Sequence, residues 1–526
     1  IIAEAAGVEV GRVHLEHPEL PEHGDFSTNI ALATKTNAKD LAAKIAGDMI
    51  ERVEVAGPGF INIWLKQEFL LSSLDHSTDH ETSLSGKNIM VEFTDPNPFK
   101  EFHIGHLYSN IVGESICRLL ESQGALVWRV CYQGDIGLHV AKSIWGMQAL
   151  SSQLPDESAS LSSKAAFLGQ AYAYGATKYE EDETSKQEIN VLNKRIYDQD
   201  PAVLELYKNG KRWSLEYFDG IYARLGTSFK KLYFESEVGP IGLQFVKDNL
   251  EKGIFKESNG AVVFPGEDYG LHTRVFINSL GLPTYEAKEL GLAPTKYKDF
   301  AYDLSVIITG NEVNDYFKVL LKALEQIEPK LAAITKHLSH GMVRLPSGKM
   351  SSRTGKVLTG EWLMDEAKKH ALGLNQDEMV AEKVGLAAIK YALLKSSLGI
   401  DVEFDFDESV SFNGNSGPYL QYTYARTQSL LRKDDGTRGE TEALNPEEVS
   451  ILRFIYRYPE VVAEAAARYA PNLVTNFLYE LAQRFNTFYN KHQILGNELR
   501  LSLTKSTGEV LQSGLDLLGI VALEQM

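Results

Sequence analysis

Cysteine is scarce in this chain, and long apolar runs are absent. The two cysteines, Cys117 and Cys131, are too few for a disulfide framework or a zinc knuckle, and they favour a reducing cytoplasm. No stretch reaches the ~18 apolar residues that a membrane-spanning helix needs. Acidic Glu4 interrupts the visible start, which argues against a signal peptide there. We therefore expect neither a membrane protein nor a disulfide-rich secreted one.

Positive charge is also in deficit, with 53 Lys+Arg against 71 Asp+Glu and a formal net charge of −18. This balance argues against a protein that coats DNA without specificity. The acidic excess lies mostly before residue 411, whereas the segment 411–526 is nearly balanced. A single structured RNA that meets a locally basic or aromatic face is still compatible with this composition.

The length of 526 residues predicts about two to four domains, because a domain usually has about 100–200 residues. Residues 1–85 have the pattern of a small α+β unit. Within it, a helix-like run extends from Ile30 to about Glu51, and the apolar run Phe60–Leu65 predicts a strand. A polar linker at 72–87 follows.

The segment 86–345 has the pattern of a Rossmann-like parallel sheet. Strand Ile89–Phe93 is followed by a loop, by a helical run of 3.6-residue periodicity that stops near Gly124, and by strand Leu126–Tyr132. Strand, helix and strand in this order form a βαβ unit, the building block of doubly wound sheets. Leu304–Thr309 predicts a further strand.

The rest of the chain is predicted to be mainly helical. A polar stretch at 150–215 indicates a helical insertion, and 346–410 contains a polar loop and a connecting region. No strand signal remains after residue 410. The runs Val449–Ala467 and Asn472–Gln493 predict an all-α bundle over 411–526.

The first motif that indicates chemistry is His103-Ile104-Gly105-His106, at the mouth of the first predicted helix of the sheet. Unpaired backbone N–H groups and the helix dipole favour anions there, and two imidazoles beside them suit phosphates. Gly105 removes a side chain where a nucleotide would approach the backbone. The alternative is a pair of surface or metal-binding histidines, for which His139 is the visible third ligand.

The second motif is Lys349-Met350-Ser351-Ser352-Arg353-Thr354-Gly355, a polar loop after a strand. A lysine in such a loop can hold a polyphosphate as charge develops on it. Taken alone, a solvated basic turn is the more common explanation. Both motifs in this order arise by chance in roughly one chain in a thousand, which favours a nucleotide site.

These motifs resemble the HIGH and KMSKS signatures of the class I aminoacyl-tRNA synthetases, and the chain is most similar to the arginyl-tRNA synthetase family. Four further segments, spread over nearly the whole chain, support the likeness. They are Glu22–Asn29, Thr94–Lys100, Ser416–Tyr422 followed by Arg426, and Leu517–Ile520.

The resemblance implies a two-step reaction in which MgATP activates L-arginine to arginyl-adenylate, and the arginyl group then passes to the 3′ end of tRNA(Arg). It implies that ATP is bound by His103, Gly105, His106, Lys349 and Ser351. It implies no resident metal other than the Mg²⁺ of MgATP.

Ser352 stands where the family signature has its second lysine. In the family Lys100 is the proposed substitute, and a surface lysine beside Glu101 is the alternative.

The resemblance also implies the arginine-binding residues. A guanidinium offers five N–H donors and a fixed charge, so it needs acceptors. Tyr285 and Glu289 match a family motif of Tyr and Asp four residues apart, here with Glu for Asp. Asn97 and Glu235 match other positions of the amino-acid pocket. Val313 stands where many relatives carry Gln.

In the predicted bundle, Tyr419, Tyr422 and Arg426 share one helix face. Aromatic rings with an arginine can stack unpaired RNA bases, and the likeness implies that they contact tRNA together with Met526. On spacing alone, a core aromatic stripe is the more common explanation.

Three alternatives are open at this point. The chain could be another class I synthetase, although the cysteinyl enzymes rely on zinc and several cysteines. It could be a small-molecule adenylate-forming ligase, which has no use for a long helical bundle. It could also be a synthetase-like RNA-binding protein without catalysis.

The likeness further implies a cytoplasmic monomer with no membrane partner.

Overall fold

The computed structural model describes residues 1–18, 20–80, 82–346, 358–439 and 443–526. Its strands are β1 Phe26–Thr28, β2 Ile50–Ala56, β3 Phe60–Leu65, β4 Asn88–Glu92, β5 Leu126–Gln133, β6 Lys231–Phe234, β7 Lys256–Ser258, β8 Ala261–Phe264, β9 Arg274–Ile277, β10 Leu304–Gly310, β11 Thr335–His340, β12 Val343–Arg344 and β13 Val402–Glu403.

The helices are α1 Ile2–Ala6, α2 Ile30–Thr34, α3 Ala38–Ala42, α4 Gln67–Ser72, α5 Ile104–Ser122, α6 Leu138–Ala149, α7 Leu161–Glu181, α8 Glu183–Tyr197, α9 Pro201–Leu225, α10 Glu235–Leu250, α11 Tyr285–Asp299, α12 Asn314–Ile327, α13 Pro329–Ala333, α14 Gly360–Leu372, α15 Glu378–Leu394, α16 Phe406–Ser409, α17 Gly417–Arg432, α18 Pro446–Ile455, α19 Tyr458–Arg468, α20 Pro471–Lys491 and α21 Glu498–Leu517.

The N-terminal part is a three-stranded antiparallel sheet of order β1-β3-β2 with short helices packed on it. The prediction of one helix from Ile30 to about Glu51 is wrong. The chain leaves helix α2 at Lys35, whose φ of 56° is left-handed, and Asn37 caps the next short helix through its side chain. Strand β2 then begins at Ile50, so only the strand β3 prediction is confirmed in this region.

A five-stranded parallel sheet of order β11-β10-β4-β5-β6 lies at the centre of the molecule, which confirms the predicted Rossmann-like class. Strand β4 occupies the middle position, and its apolar side chains are buried. All five carboxyl ends meet at one edge. In open parallel sheets, ligands bind in the crevice outside that edge. Helices α7, α8 and α9 follow α6 in the chain between β5 and β6, where the helical insertion is predicted.

The C-terminal part consists of helices α17 to α21, as expected from the loss of strand signal after residue 410. The run at 449–467 contains two helices, because Pro459 lies in the first turn of α19, where proline is tolerated, and the chain bends before it. The bundle docks on the central sheet through α5. Ser115 donates a hydrogen bond to the Leu517 carbonyl, and Arg118 pairs with Asp516.

None of the helices within the described residues is both long enough and apolar enough to cross a lipid bilayer.

Candidate active site

A cavity of about 800 Å³ lies at the carboxyl edge of the sheet. It lies between the loop after β4, the start of α5, the ends of β10 and β11, and one face of α11. This volume suits a nucleotide together with a small substrate. Its charged lining is strongly acidic and consists of Glu92, Asp95, Glu235, Glu286, Glu289 and Glu312, with Arg274 as a basic neighbour.

The loop between β4 and α5 is strained at three non-glycine residues. Thr94, Asp95 and Phe99 have φ values of 82°, 44° and 68°. Non-glycine residues avoid this region, and such outliers persist only where the surroundings hold them. Here the Thr94 N–H donates to Ser109 Oγ at 2.9 Å, and the Asp95 carboxylate accepts from the Tyr132 N–H at 2.7 Å. The fold therefore holds this cavity wall in one shape.

His103 and His106 stack at the mouth of α5 with their ring centroids 3.4 Å apart. Nδ1 of His103 accepts the Gly105 N–H at 3.1 Å, and Nδ1 of His106 accepts the His103 N–H at 3.3 Å. A ring nitrogen that accepts a hydrogen bond carries no proton, so a neutral ring must carry its proton on Nε2. Both imidazoles line the cavity and have their N–H donor on that nitrogen.

Both histidines are neutral at physiological pH. Burial and the nearby Lys100 cation lower the pKa of His103 to about 4, and burial lowers the pKa of His106 well below its usual value. The imidazoles therefore bind an anion as hydrogen-bond donors and not as cations.

The expectation of unpaired amides at this helix mouth is wrong, since the N–H groups of Ile104, Gly105 and His106 all have acceptors.

Gly105 leaves room for the His103 ring at the mouth of α5. A Cβ built on it would lie 3.0 Å from the His103 ring, so a side chain here would push the imidazole away.

The metal-site alternative gains no support from His139, whose Nε2 bonds the Gly134 carbonyl at 2.7 Å. Among the described residues, no group of three or more His, Cys, Asp or Glu side chains is arranged to hold a metal ion.

Lys100 lies near the two histidines, but its ammonium contacts a different residue. Its ammonium lies over the ring of Tyr172, 4.6 Å from the centroid, on insertion helix α7. A cation–π contact of this kind is worth about 0.5–1 kcal/mol when exposed, so it can be exchanged for a phosphate. Lys100 is not one of the residues that line the cavity, but its positive charge lies near enough to help lower the pKa of both imidazoles.

Glu289 also lines the cavity and is only 8% exposed. Its Oε2 atom is buried and has no hydrogen-bond partner among the described residues. Burial and the nearby Glu92 carboxylate raise the pKa of Glu289 well above its usual value, whereas Lys296 opposes the shift. A buried acceptor with no partner is costly, and a cationic donor would satisfy it. Tyr285, one helical turn earlier, is exposed at the cavity mouth.

Asn97 and Glu235 come together over Gly134. A Cβ on that glycine would lie 2.3 Å from Asn97 Oδ1 and 3.2 Å from Glu235 Oε1, so only glycine leaves both oxygens free to converge. The other Glu235 oxygen accepts from Lys288 at 2.5 Å. Burial raises the pKa of Glu235 to about 7, although the Lys288 cation opposes the shift.

The sequence reasoning missed several lining residues, among them Glu92, Tyr132, Arg274 and Tyr316. Arg274 pairs with Glu286 at 3.2 Å, and its guanidinium lies 5.5 Å from the centre of the Tyr316 ring. Each of these residues comes from a different strand or helix, and none belongs to a motif. Val313, noted for its departure from the family pattern, also lines the cavity.

Lys349, Ser351 and Ser352 lie outside the described residues. The residues that follow this segment are attached to the helix mouth. The Leu358 carbonyl accepts the Ile104 N–H at 3.0 Å, and Leu358 also lines the cavity.

In the helical bundle, Arg426 lies between two tyrosines. Its guanidinium is 4.9 Å from the ring centre of Tyr422 and 4.5 Å from that of Tyr489, and it also bonds Asn486. Tyr422 and Tyr489 are exposed. Tyr419 is instead half-buried, and its hydroxyl accepts from Asn486 at 3.0 Å. Of the three predicted platform residues, Tyr422 is exposed, and Tyr489 on α20 adds an exposed ring that sequence spacing did not reveal.

Met526 packs against a cluster that includes Ala381 and Val384 of α15 and Phe412. The Phe412 ring lies 6.1 Å from that of Tyr422, centroid to centroid.

Comparison with known families agrees with this geometry. The family model described as "tRNA synthetases class I (R), catalytic domain" matches residues 70–406, more than half of the chain. The chain belongs to the arginyl-tRNA synthetase family. The model "Arginyl tRNA synthetase N terminal domain" matches residues 1–65, and "DALR anticodon binding domain" matches residues 420–526. Members are aminoacyl-tRNA ligases and use ATP.

Two relatives named arginine--tRNA ligase match along nearly their whole length. The Treponema denticola protein is 33% identical over 98% of this chain and 95% of its own. The Flavobacterium psychrophilum protein is 32% identical over 94% of this chain and 90% of its own. The solved Thermus thermophilus arginyl-tRNA synthetase has the same fold, with a TM-score of 0.83, 24% identity, and coverage of 100% of this chain and 98% of that one. Family membership excludes the cysteinyl and small-molecule ligase alternatives.

Proposed function

We propose that this arginyl-tRNA synthetase homologue activates L-arginine with MgATP and transfers the arginyl group to the 3′ end of tRNA(Arg). One observation carries the proposal. A single cavity is lined by hydrogen-bond donors suited to phosphate, on His103 and His106, and by a buried Glu289 oxygen that has no hydrogen-bond partner among the described residues. Arginine joined to ATP presents the matching groups, a cationic guanidinium and an anionic phosphate.

In the first step, a carboxylate oxygen of arginine forms a bond to the α-phosphorus of ATP, and pyrophosphate leaves. The Nε2–H groups of His103 and His106 donate to the phosphate oxygens on which charge develops. Fixed neutral donors of this kind stabilise a transition state without reorganisation. Lys349 and Ser351 are proposed to hold the β- and γ-phosphates, which accords with the position of Leu358 beside the helix mouth.

Selection of arginine is proposed to rest on two groups of acceptors. Glu289 receives the guanidinium, and the Tyr285 ring at the mouth covers it. The converging oxygens of Asn97 and Glu235 receive the α-ammonium, because an ammonium requires several acceptors at short range. The acidic lining as a whole attracts a substrate with two cationic groups.

Transfer then requires the tRNA 3′ end in the same cavity. We propose that Tyr422 and Arg426 stack bases of the tRNA, with Tyr419 and Met526 supporting that face. We further propose that the chain acts as a cytoplasmic monomer. Its four parts are proposed to be a tRNA-contacting domain at 1–85, a catalytic domain at 86–345, the connecting region 346–410 and an anticodon-binding domain at 411–526.

The test is ATP–pyrophosphate exchange with each amino acid, with and without tRNA(Arg). We expect exchange with arginine alone among the amino acids, and we expect it to require the tRNA. Exchange with another amino acid and none with arginine would contradict the arginine assignment. Tight binding of tRNA(Arg) without any exchange would show a synthetase-like RNA-binding protein instead.

The Lys100→Ala variant is expected to slow exchange by about 10- to 100-fold, since it removes a cation that can leave Tyr172 for a phosphate oxygen. The Tyr172→Leu variant removes only the resting contact and should change the rate far less. Thermal unfolding of both variants separates the loss of rate from the loss of stability. An unchanged exchange rate in Lys100→Ala would remove this lysine from the mechanism.

A further inference from the structure

Arg457 lies in the short bend between α18 and α19 and is partly buried. Its guanidinium lies over the ring of Phe454, 5.3 Å from the centroid. Among the residues that the structure describes, this guanidinium has no hydrogen-bond or ion-pair partner, and its Nε atom is shielded from solvent. A guanidinium carries five fixed donors, and burying one of them without an acceptor is costly. The site therefore lacks an acceptor that a ligand can supply.

The acidic side chains of this region do not supply the acceptor, because each already has a partner of its own. The pairs are Glu460 with His17 at 3.0 Å, Glu480 with Arg484 at 3.3 Å, and Asp25 with Arg453 at 3.1 Å. Burial lowers the pKa of Arg457, and the Arg484 cation adds to the shift, whereas Glu460 and Glu480 oppose it. Arg457 is thus the arginine of this group that is left without a carboxylate.

Arg484 of α20 lies beside Arg457. Its guanidinium is 4.4 Å from the centroid of the same Phe454 ring, and its Nε atom is likewise buried without a hydrogen-bond partner among the described residues. A hollow of about 260 Å³ opens next to Arg484, between α18 and α20. Two neighbouring guanidiniums with unused donors favour an anion, and phosphate oxygens match the fork of donors that arginine presents.

The two arginines lie between the parts of the chain that are proposed to contact tRNA. Tyr456, the neighbour of Arg457, packs against Phe26 of the N-terminal part with ring centroids 6.1 Å apart. On α20, Arg484 lies on one side of the exposed helix face and Tyr489 lies on the other. A strand of RNA that leaves the exposed tyrosines would therefore cross a single helix, about 10–12 Å wide, to reach Arg457. This position favours an RNA phosphate over a free anion.

We propose that Arg457, with Arg484 beside it, binds a backbone phosphate of tRNA(Arg) where the helical bundle meets the N-terminal part. This inference rests on the proposed function, because it assigns a contact to the proposed RNA partner. A phosphate contact reads no base, but it fixes the position of the RNA on the protein. The contact therefore contributes to the affinity for tRNA and not to the binding of arginine or ATP.

The Arg457→Gln variant of the full chain tests the proposal. The Kd for a tRNA(Arg) transcript should rise about 10- to 100-fold, since a charged hydrogen-bonded contact is lost. The slope of log Kd against log salt, measured between about 50 and 200 mM, should fall by about one, because one fewer phosphate is neutralised. KM for arginine and KM for ATP, measured by exchange at saturating tRNA, should equal those of wild type.

Two further variants make the result specific. Arg468→Gln removes the same charge at the exposed end of α19, where Arg468 pairs with Glu464 at 2.6 Å, and it should leave the affinity and the slope nearly unchanged. Arg457→Lys keeps the charge but loses the fork, so the slope should stay at the wild-type value and the Kd should rise less than in Arg457→Gln. Thermal unfolding of Arg457→Gln should be unchanged, because the variant removes donors that have no partner in the free protein.

The outcomes separate the two proposals. Wild-type protein that binds tRNA(Arg) no more tightly than an unrelated tRNA contradicts the proposed function. Specific wild-type binding combined with an unchanged salt slope in Arg457→Gln overturns only the phosphate contact. If Arg457→Gln does not fold, Arg457→Met decides, since its apolar stem still packs on Phe454 and an unchanged slope there also overturns the proposal.

Discussion

The Glu289→Gln variant is expected to lose about 30- to 5,000-fold in kcat/KM for arginine, which corresponds to the loss of about 2–5 kcal/mol typical of removing one member of a buried charge pair. The amide keeps the size of the side chain but removes the charge, and its NH₂ group points a donor at a substrate that consists of donors. The loss should fall on KM for arginine, measured by exchange at saturating ATP and tRNA. KM for ATP should be nearly unchanged.

Two further variants make this result specific. Glu289→Asp retains the charge and introduces the residue of the family motif, so it should lose far less activity than Glu289→Gln. Glu237→Gln, on the exposed side of α10, removes a carboxylate outside the cavity and should be neutral. Equal losses for arginine and ATP, or full activity in Glu289→Gln, would show that the guanidinium is bound elsewhere.

Local signals in the sequence are sufficient for the central elements of the fold. The bounds of β3 agree with prediction because Gly57-Pro58-Gly59 stops the preceding structure and an apolar run follows. Helix α5 is predicted because its apolar residues recur every 3.6 positions over 19 residues. The prediction of one helix after Ile30 fails because the apolar periodicity continues through Lys35, where the chain turns into a left-handed conformation and the Asn37 cap starts the next helix.

The residues of the candidate site are harder to predict from the sequence than the elements of the fold. His103, His106 and Glu289 are found because they lie in motifs. Glu92 and Lys296 are separated by 204 residues and meet only when α11 packs against the sheet, so no local pattern pairs them. The tautomers of the histidines and the pairing of the α5 amides likewise depend on hydrogen bonds that a sequence does not show.

The His106→Ala variant should lower kcat for exchange by about 10²–10³-fold, the usual effect of removing one preorganised donor to a developing negative charge. His106→Gln should recover part of the rate, because its amide nitrogen is closest to the position of the imidazole Nε2–H. The wild-type rate should also show no acidic limb near pH 6.5 from these imidazoles, because the pKa of His103 is about 4 and that of His106 is also lowered.

The pH profile distinguishes this mechanism from one that uses imidazolium cations. If the charged form were the active one, the rate would rise as the pH falls through 6.5, and His106→Gln would abolish that rise. With neutral donors, the rate instead falls only when the rings become protonated, far below neutrality, because His103 Nδ1 would then lose the bond that it accepts from Gly105. His76→Ala, an exposed histidine in the N-terminal part, serves as the control and should match wild type.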